Sequence, residues 1–405
     1  MPAADTRRLS TFLLARVASS MSFQMLSVSV GWQIFHQTGS AFALGMVGLC
    51  MFLPMVVLTL LVGHLADRFD RRRIVMVCVF IEGLCAAVMA AGVFAHALSL
   101  PAIYLLVVLG GSARAFESPT MATLLPALVP RDNLSRATAW YSSSNQTAQI
   151  VGPAVGGVVF AINAGAAFAL SAAMFFLGGC LVISLKLARR PPSKAPVTVA
   201  SLFSGIRFIW NRPIILGTIS LDLFAVLLGG ATALLPIFAA HVLHTGPWGL
   251  GLLRSSTAVG ALLMSVFLAR YPLRGPVGRT LFGSLIMFGA ATVVFGLSTS
   301  VGLSVAALLV LGAADAVSVV VRSTLVQLQT PDEMLGRVSA VNMLFIGTSN
   351  QLGEFESGTT AALFGTVPAV VIGGVGTILV SLLWMKLFPA LRKMRSLDEV
   401  PQRSA

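Results

Sequence analysis

Ten ionisable side chains stand inside stretches that are otherwise apolar: Arg16, Glu82, Arg114, Glu117, Asp222, Arg254, Asp315, Glu354 and Glu356, with Arg322 nearer the end of its stretch. A charge near the centre of a bilayer costs about 2.5–3.5 kcal/mol, so each is expected to face a cavity or a partner. The chemistry open to acids and arginines in such places is the exchange of protons and the holding of charged groups. Arg114 and Glu117 are three residues apart and share a helical face. They read either as an ion pair or as an acid whose proton affinity depends on its arginine. Glu354 and Glu356, two apart, point in different directions, so at most one is expected to face a pathway well. His36, His64, His96, His241 and His244 fall at the ends of apolar runs or in turns and do not cluster, so no metal site is expected. Cys50, Cys78, Cys85 and Cys180 lie inside apolar runs without ligand spacing and read as small hydrophobes.

The elements that must hold these groups follow from composition. Of 405 residues, 57% are hydrophobic and 10% charged, with mean hydropathy +0.91. Soluble domains carry about 25% charged residues, so this is read as an integral membrane protein. The net charge of +13 does not indicate a nucleic-acid partner, because no polar stretch is long enough to fold into a basic face. The apolar run that begins near Leu9 is longer than a signal-peptide core and is expected to be the first span.

A crossing needs roughly 20 apolar residues, and twelve such runs are found: 9–36, 42–66, 74–96, 100–125, 138–162, 166–186, 213–240, 248–269, 278–297, 301–326, 338–363 and 367–388. The spacing predicts an all-α membrane protein with two six-helix bundles at 1–186 and 213–390. A cytoplasmic linker at 187–212 joins them, and a tail at 391–405 follows. Little chain remains for a catalytic domain, so no enzyme activity and no cofactor are expected. The turns near Thr38, Leu98, Ala164, Thr245, Thr299 and Thr366 contain no Lys or Arg, while the alternate turns and both ends are basic. By the positive-inside rule both termini are then cytoplasmic. Within the linker, Ser201 to Trp210 reads as a surface helix with Phe203, Ile206 and Trp210 toward lipid, or as a solvated hinge.

The two halves repeat. Pro130, Leu134, Arg136, Ala139 and Gly152 match Pro331, Leu335, Arg337, Ala340 and Gly353, each 201 residues later. Thr38 and Gly39 match Thr245 and Gly246 with a shift of 207. Such duplication marks a transporter built from two related bundles, with its site between them at the midplane.

One polar loop stands out, GHLADRFDRRR at 63–73, with two acids and four arginines between two apolar runs. Its Gly63, Leu65, Asp67, Arg68, Arg71 and Arg72 resemble the signature between helices 2 and 3 of the major facilitator superfamily, with Asp70 in place of a glycine. That variant is similar to the subgroup of enterobactin, macrolide and drug exporters. Physically, Gly63 permits close helix packing and the arginines suit an anionic cytoplasmic surface. A second element, GPAVGG with Gly152, Pro153, Gly156 and Gly157, resembles a helix 5 motif of superfamily antiporters. Small residues four apart allow backbone contact, and Pro153 bends the helix. Arg114 resembles the arginine of the superfamily's R-x-x-Q-G motif, although Glu117 and Ser118 replace its glutamine and glycine.

The resemblance implies the major facilitator fold, with helices 1, 4, 7 and 10 lining a pathway that carries Arg16, Arg114, Glu117, Asp222 and Asp315. Glu354 is an added candidate from helix 11. It makes Asp67 a cytoplasmic latch and Glu117, Asp222 and Asp315 competing proton carriers. The implied function is proton-coupled efflux of an amphiphilic siderophore, macrolide or drug-like molecule by alternating access. The protein is then a monomer in a bacterial cytoplasmic membrane, with the small molecule, protons and the lipid bilayer as its partners. A proton-coupled metabolite importer and a transport-dead membrane sensor or assembly factor are the alternatives.

Overall fold

A computed structural model describes residues 3–130, 133–185, 199–271 and 276–394; within these, the side chains of 3–7, 59–68, 127, 135, 199–203, 332 and 333 lie outside the description. Among the described residues the chain is α-helical, with no strand. The order is α1 (Ala3–Thr38), α2 (Ala41–Arg68), α3 (Arg71–Phe94), α4 (Leu100–Leu128), α5 (Leu134–Ile162), α6 (Ala164–Ser184), α7 (Val199–Trp210), α8 (Pro213–Leu228), α9 (Leu235–Ile237), α10 (Gly246–Arg270), α11 (Val277–Leu297), α12 (Val301–Gln329), α13 (Asp332–Phe364), α14 (Thr366–Leu387) and α15 (Pro389–Lys393).

Among the described residues ten segments are long and apolar enough to cross a membrane, the broken run Pro213–Val242 being one of them. α5 and α13 are excluded by polarity rather than length. With 29 and 33 residues at about 1.5 Å per residue, both exceed the roughly 30 Å of a hydrocarbon core. Together they complete the twelve spans expected from the sequence. Exposed leucines and valines such as Leu53, Val57, Leu105, Leu263 and Leu363 are what lipid-facing helix surfaces require, since lipid tails are as apolar as they are.

The internal repeat reappears as packing. α1 lies against α5, α3 against α4 and α6; correspondingly α8 lies against α13, α11 against α12 and α14. Gly152 and Gly353, matched in the repeat, make the same kind of contact. A Cβ on Gly152 would lie 2.7 Å from Gln24 Cβ on α1, and one on Gly353 would lie 2.9 Å from the Leu227 carbonyl oxygen on α8. The matched turns agree too: Gly39 and Gly246 have φ of 61° and 73°, a conformation that glycine adopts without penalty.

By contacts the chain divides into two compact units. One comprises Met1–Ala43, Cys50–Val197 and Ala239–Ser255; the other comprises Leu44–Leu49, Thr198–Phe238 and Ser256–Ala405. The core of the first is built on Phe12, Val75, Met121, Phe175 and Leu185. The second has two clusters, one around Leu221, Leu281, Phe282 and Leu325, the other around Ile209, Ile215, Val338 and Val341. α7 is a helix as expected, and Ile206 and Trp210 are exposed, while Phe203 has an undescribed side chain. Its Gly205–Ile209 face is seated on α13, where Arg337 Nη1 donates to Ser204 Oγ at 3.3 Å. The rest of the expected linker and the end of the tail lie outside the described residues.

The run 213–240, expected as one helix, is interrupted. α8 stops at Leu228, and after Gly229 and Gly230 the chain passes through a 3-10 turn (Ala231–Leu234), α9 and a π turn (Phe238–Val242). The physical reason is the glycine pair. A Cβ on Gly230 would lie 2.4 Å from the Gly353 carbonyl oxygen, so the break sits in backbone contact with α13.

Candidate functional site

In the first unit, α1, α4 and α5 bring a charged cluster together. Glu117 on α4 is fully buried, and its two carboxylate oxygens are held by different arginines. Arg16 Nη1 reaches Oε1 at 3.4 Å and Arg114 Nη1 reaches Oε2 at 2.8 Å. Ser19 Oγ donates to Oε1 at 3.1 Å. Arg16 also donates to Asn145 Oδ1 at 3.1 Å. Each guanidinium lies near an aromatic face, Arg16 5.2 Å from the Tyr141 centroid and Arg114 4.4 Å from that of Phe23. These cation–π contacts replace part of the hydration the arginines have lost.

Helical spacing explains the arrangement. Arg16, Ser19, Ser20 and Phe23 recur at three and four residues on α1, as do Tyr141 and Asn145 on α5, so each set forms one stripe. The sequence reading singled out Arg16, Arg114 and Glu117 but missed Ser19, Tyr141 and Asn145, whose polar stripe was a signal available for them. Glu82 on α3 is 2% exposed, has no hydrogen-bond partner for either oxygen among the described residues, and interacts electrostatically with Arg114, Glu117 and Arg16.

The GPAVGG element on α5 sits in the same unit. Gly152 and Gly156 face α1, where a Cβ on Gly156 would lie 2.9 Å from Met25 Cα; Gly157 faces α10, 2.6 Å from the Pro247 carbonyl oxygen and 3.0 Å from Gly251 Cα. Pro153 contributes the carbonyl oxygen against which Gly251 closes, at 2.5 Å. Two polar contacts extend this backbone seam: Arg254 Nη1 donates to Ser27 Oγ at 2.6 Å, and Ser255 Oγ to the Ile150 carbonyl at 2.6 Å. Gly157→Val should therefore force α5 from α10. Overpacking costs about 1–3 kcal/mol, so transport measured in vesicles is expected to fall on the order of tenfold. Gly110→Val, where a Cβ meets nothing within 4 Å, should leave it unchanged.

Of the loop at 63–73, Gly63, Leu65, Asp67 and Arg68 have backbone in α2, and their side chains lie outside the described residues. Asp70 caps α3, accepting from Arg72 N at 2.9 Å. Arg72 donates to the Val182 carbonyl at 3.1 Å and also to that of Ile183, so its charge meets the negative end of α6. Arg71 stands beside it in the first turn of α3.

In the second unit, the broken run, α12 and α13 enclose a cavity of about 380 Å³. Asp222, Asp315, Arg322 and Glu354 are its charged lining, among apolar residues such as Ile219, Phe288 and Leu311. Asp222 and Arg322 form a buried ion pair between α8 and α12, and Arg322 Nε donates to the Ser318 carbonyl at 3.2 Å. Behind Glu354, a Cβ on Gly48 would lie 2.8 Å from Glu354 Cβ. Glu356 points elsewhere, accepting from Thr360 at 2.8 Å and Ser357 at 3.4 Å. The structure thus gathers the candidates into two sets, Arg16, Arg114 and Glu117 in one unit and Asp222, Asp315 and Glu354 in the other. Among the described residues no group of His, Cys, Asp and Glu could hold a metal ion.

Multiple membrane-length helices, an internal repeat, a broken helix and buried charges are the features of a multi-pass solute transporter. The chain belongs to the Major Facilitator Superfamily, whose family model matches residues 12–353. The enterobactin exporter EntS of Citrobacter koseri is 29% identical over 397 residues, covering 96% of this chain and 93% of that protein. EntS of Escherichia coli is 27% identical over 401 residues, covering 97% and 94%. Among solved structures, a bacterial homolog of the human lysosomal transporter Spinster, in its inward-facing and occupied conformation, matches with a TM-score of 0.78 at 14% identity over 97% of this chain and 99% of that one. A D-xylose–proton symporter matches with a TM-score of 0.72 at 13% identity over 95% and 98%. At those identities the structural likeness establishes the fold alone.

Proposed function

We propose that the chain exports an amphiphilic small molecule, of siderophore, macrolide or drug-like character, across a bacterial cytoplasmic membrane in exchange for protons. The observation that carries the coupling is Glu117, a fully buried carboxylate shared by arginines from two helices. Alternating access rearranges the partners of such a carboxylate, which is the kind of change that coupling to protons needs. The direction is supported by full-length similarity to enterobactin exporters. In this reading the chain acts as a monomer, with bundles at 1–186 and 213–390, and Asp67 serves as the latch.

Everted membrane vesicles test it. With the vesicle interior acidified and the outwardly directed proton gradient followed by quinacrine fluorescence, addition of enterobactin, a macrolide or a cationic dye should dissipate the gradient only in vesicles containing the protein. Accumulation of the compound by intact cells, and none by everted vesicles, would instead establish import.

The orientation proposed has both termini in the cytoplasm. On a cysteine-free background, a cysteine at Thr299 should react with an impermeant maleimide added to intact cells, and one at Arg270 should not. The reverse pattern would overturn it.

A further inference from the structure

The cavity of the second unit carries three carboxylates, Asp222, Asp315 and Glu354, against one guanidinium, Arg322. Arg322 is engaged by Asp222, so that pair contributes no net charge. Asp315 accepts no hydrogen bond and makes no ion pair among the described residues, although it lines the cavity. α8 ends at Leu228, and Val226, Gly229 and Gly230 form part of the cavity wall, while the last carbonyls of the helix lie against Gly353 and Gly373. The remaining lining is largely apolar, with Ile219, Val226, Phe288, Leu308, Leu311 and Ile346, and its volume lies in the range of small-molecule sites, about 300–1,000 Å³.

From this charge balance we infer that the cavity is a binding site for organic cations, an apolar body seated on Phe288 and the α12 leucines with its positive centre at Asp315. The inference rests on the export reading and narrows it. Within the amphiphilic class, amine-bearing or quaternary compounds are the substrates, and anions of the same shape are excluded. An anion entering the site would face Asp315 with Arg322 already committed to Asp222. A cation meets the reverse situation.

Tetraphenylphosphonium and tetraphenylborate, of like shape and opposite charge, make the test, with binding to the purified full-length protein measured by equilibrium dialysis. Comparing wild type with Asp315→Asn cancels partition into the detergent. Wild type should bind the phosphonium in excess of Asp315→Asn by about 10- to 100-fold, the equivalent of one interaction with a charged group. Asp315→Glu should restore most of that difference, and the borate should show none. Equal loss for both ions, or no loss for the phosphonium, would overturn the site; so would failure of Asp315→Glu to restore the preference in protein with the wild-type elution profile. The measurement needs no gradient. Charge-selective binding without gradient dissipation in the vesicles would therefore refute export and leave the site standing.

Discussion

Glu117→Gln is expected to abolish uphill transport, lowering gradient-driven efflux by at least about 100-fold, while substrate exchange without a gradient continues. The carboxylate accepts from Arg16, Arg114 and Ser19 in a fully buried position. Glutamine retains the volume and one acceptor but can neither titrate nor balance two guanidiniums. Each hydrogen bond to a charged group contributes about 1.5–3 kcal/mol, so part of the loss appears as a lower folded yield. Glu117→Asp keeps the titration and should recover coupling more than exchange. Three measurements separate the possibilities: everted-vesicle efflux, counterflow exchange and monodisperse yield. Uphill transport that survives the substitution would remove Glu117 from coupling. Collapse of all three together would make the cluster a structural ion pair only.

Much of the fold was legible because membrane spans depend on a simple rule. A helix in hydrocarbon satisfies its own backbone, so length and apolarity alone place it. The repeat at 201 residues likewise pointed to α5 and α13 as equivalents, and both are among the more polar helices of their halves. Two things were not legible. Whether a Gly-Gly pair breaks a helix depends on what lies beside it, and the contact of Gly230 with Gly353 joins positions more than a hundred residues apart. Glu82 shows a similar limit: a single acid on an apolar helix carries no local sign of whether it packs inward or faces the surface, and it packs inward. The site residues Arg16 and Glu117 were visible as charges out of place, but their meeting across α1 and α4 required the packing.

The asymmetry between the halves follows from the same comparison. GPAVGG on α5 is matched by GEFESG on α13, so the position of Pro153 is taken by Glu354. In the first unit this element is a backbone seam, with Gly152 and Gly156 on α1 and Gly157 on α10. In the second it keeps two glycine contacts, Gly353 on α8 and Gly358 against Gly45 of α2, and adds a carboxylate to the lining of a cavity. The duplicated helix keeps its packing seam in both copies and carries a charge in one.

The second large effect is expected at Asp222 and Arg322, which are 5% and 9% exposed and paired between α8 and α12. Removing one partner of a buried pair costs about 3–5 kcal/mol, because the other charge is left uncompensated. The two single substitutions should not be equal. A stranded carboxylate can take up a proton and become neutral, whereas a guanidinium in a protein cannot lose its own. Asp222→Asn should therefore lower thermal stability in detergent more than Arg322→Met does, although Asp315 and Glu354 in the same cavity soften the loss. Replacing both, as Asp222→Leu with Arg322→Met, should recover most of the stability, since apolar pairs of similar volume often match a buried ion pair. Transport should not recover with it, because the double variant leaves the cavity walls altered at two points. The measurement is a double-mutant cycle of unfolding in one detergent, with vesicle transport read in parallel. Strictly additive single losses would mean that the two residues do not act as a pair. Equal losses in the single variants would mean that the stranded charge is not what destabilises the fold.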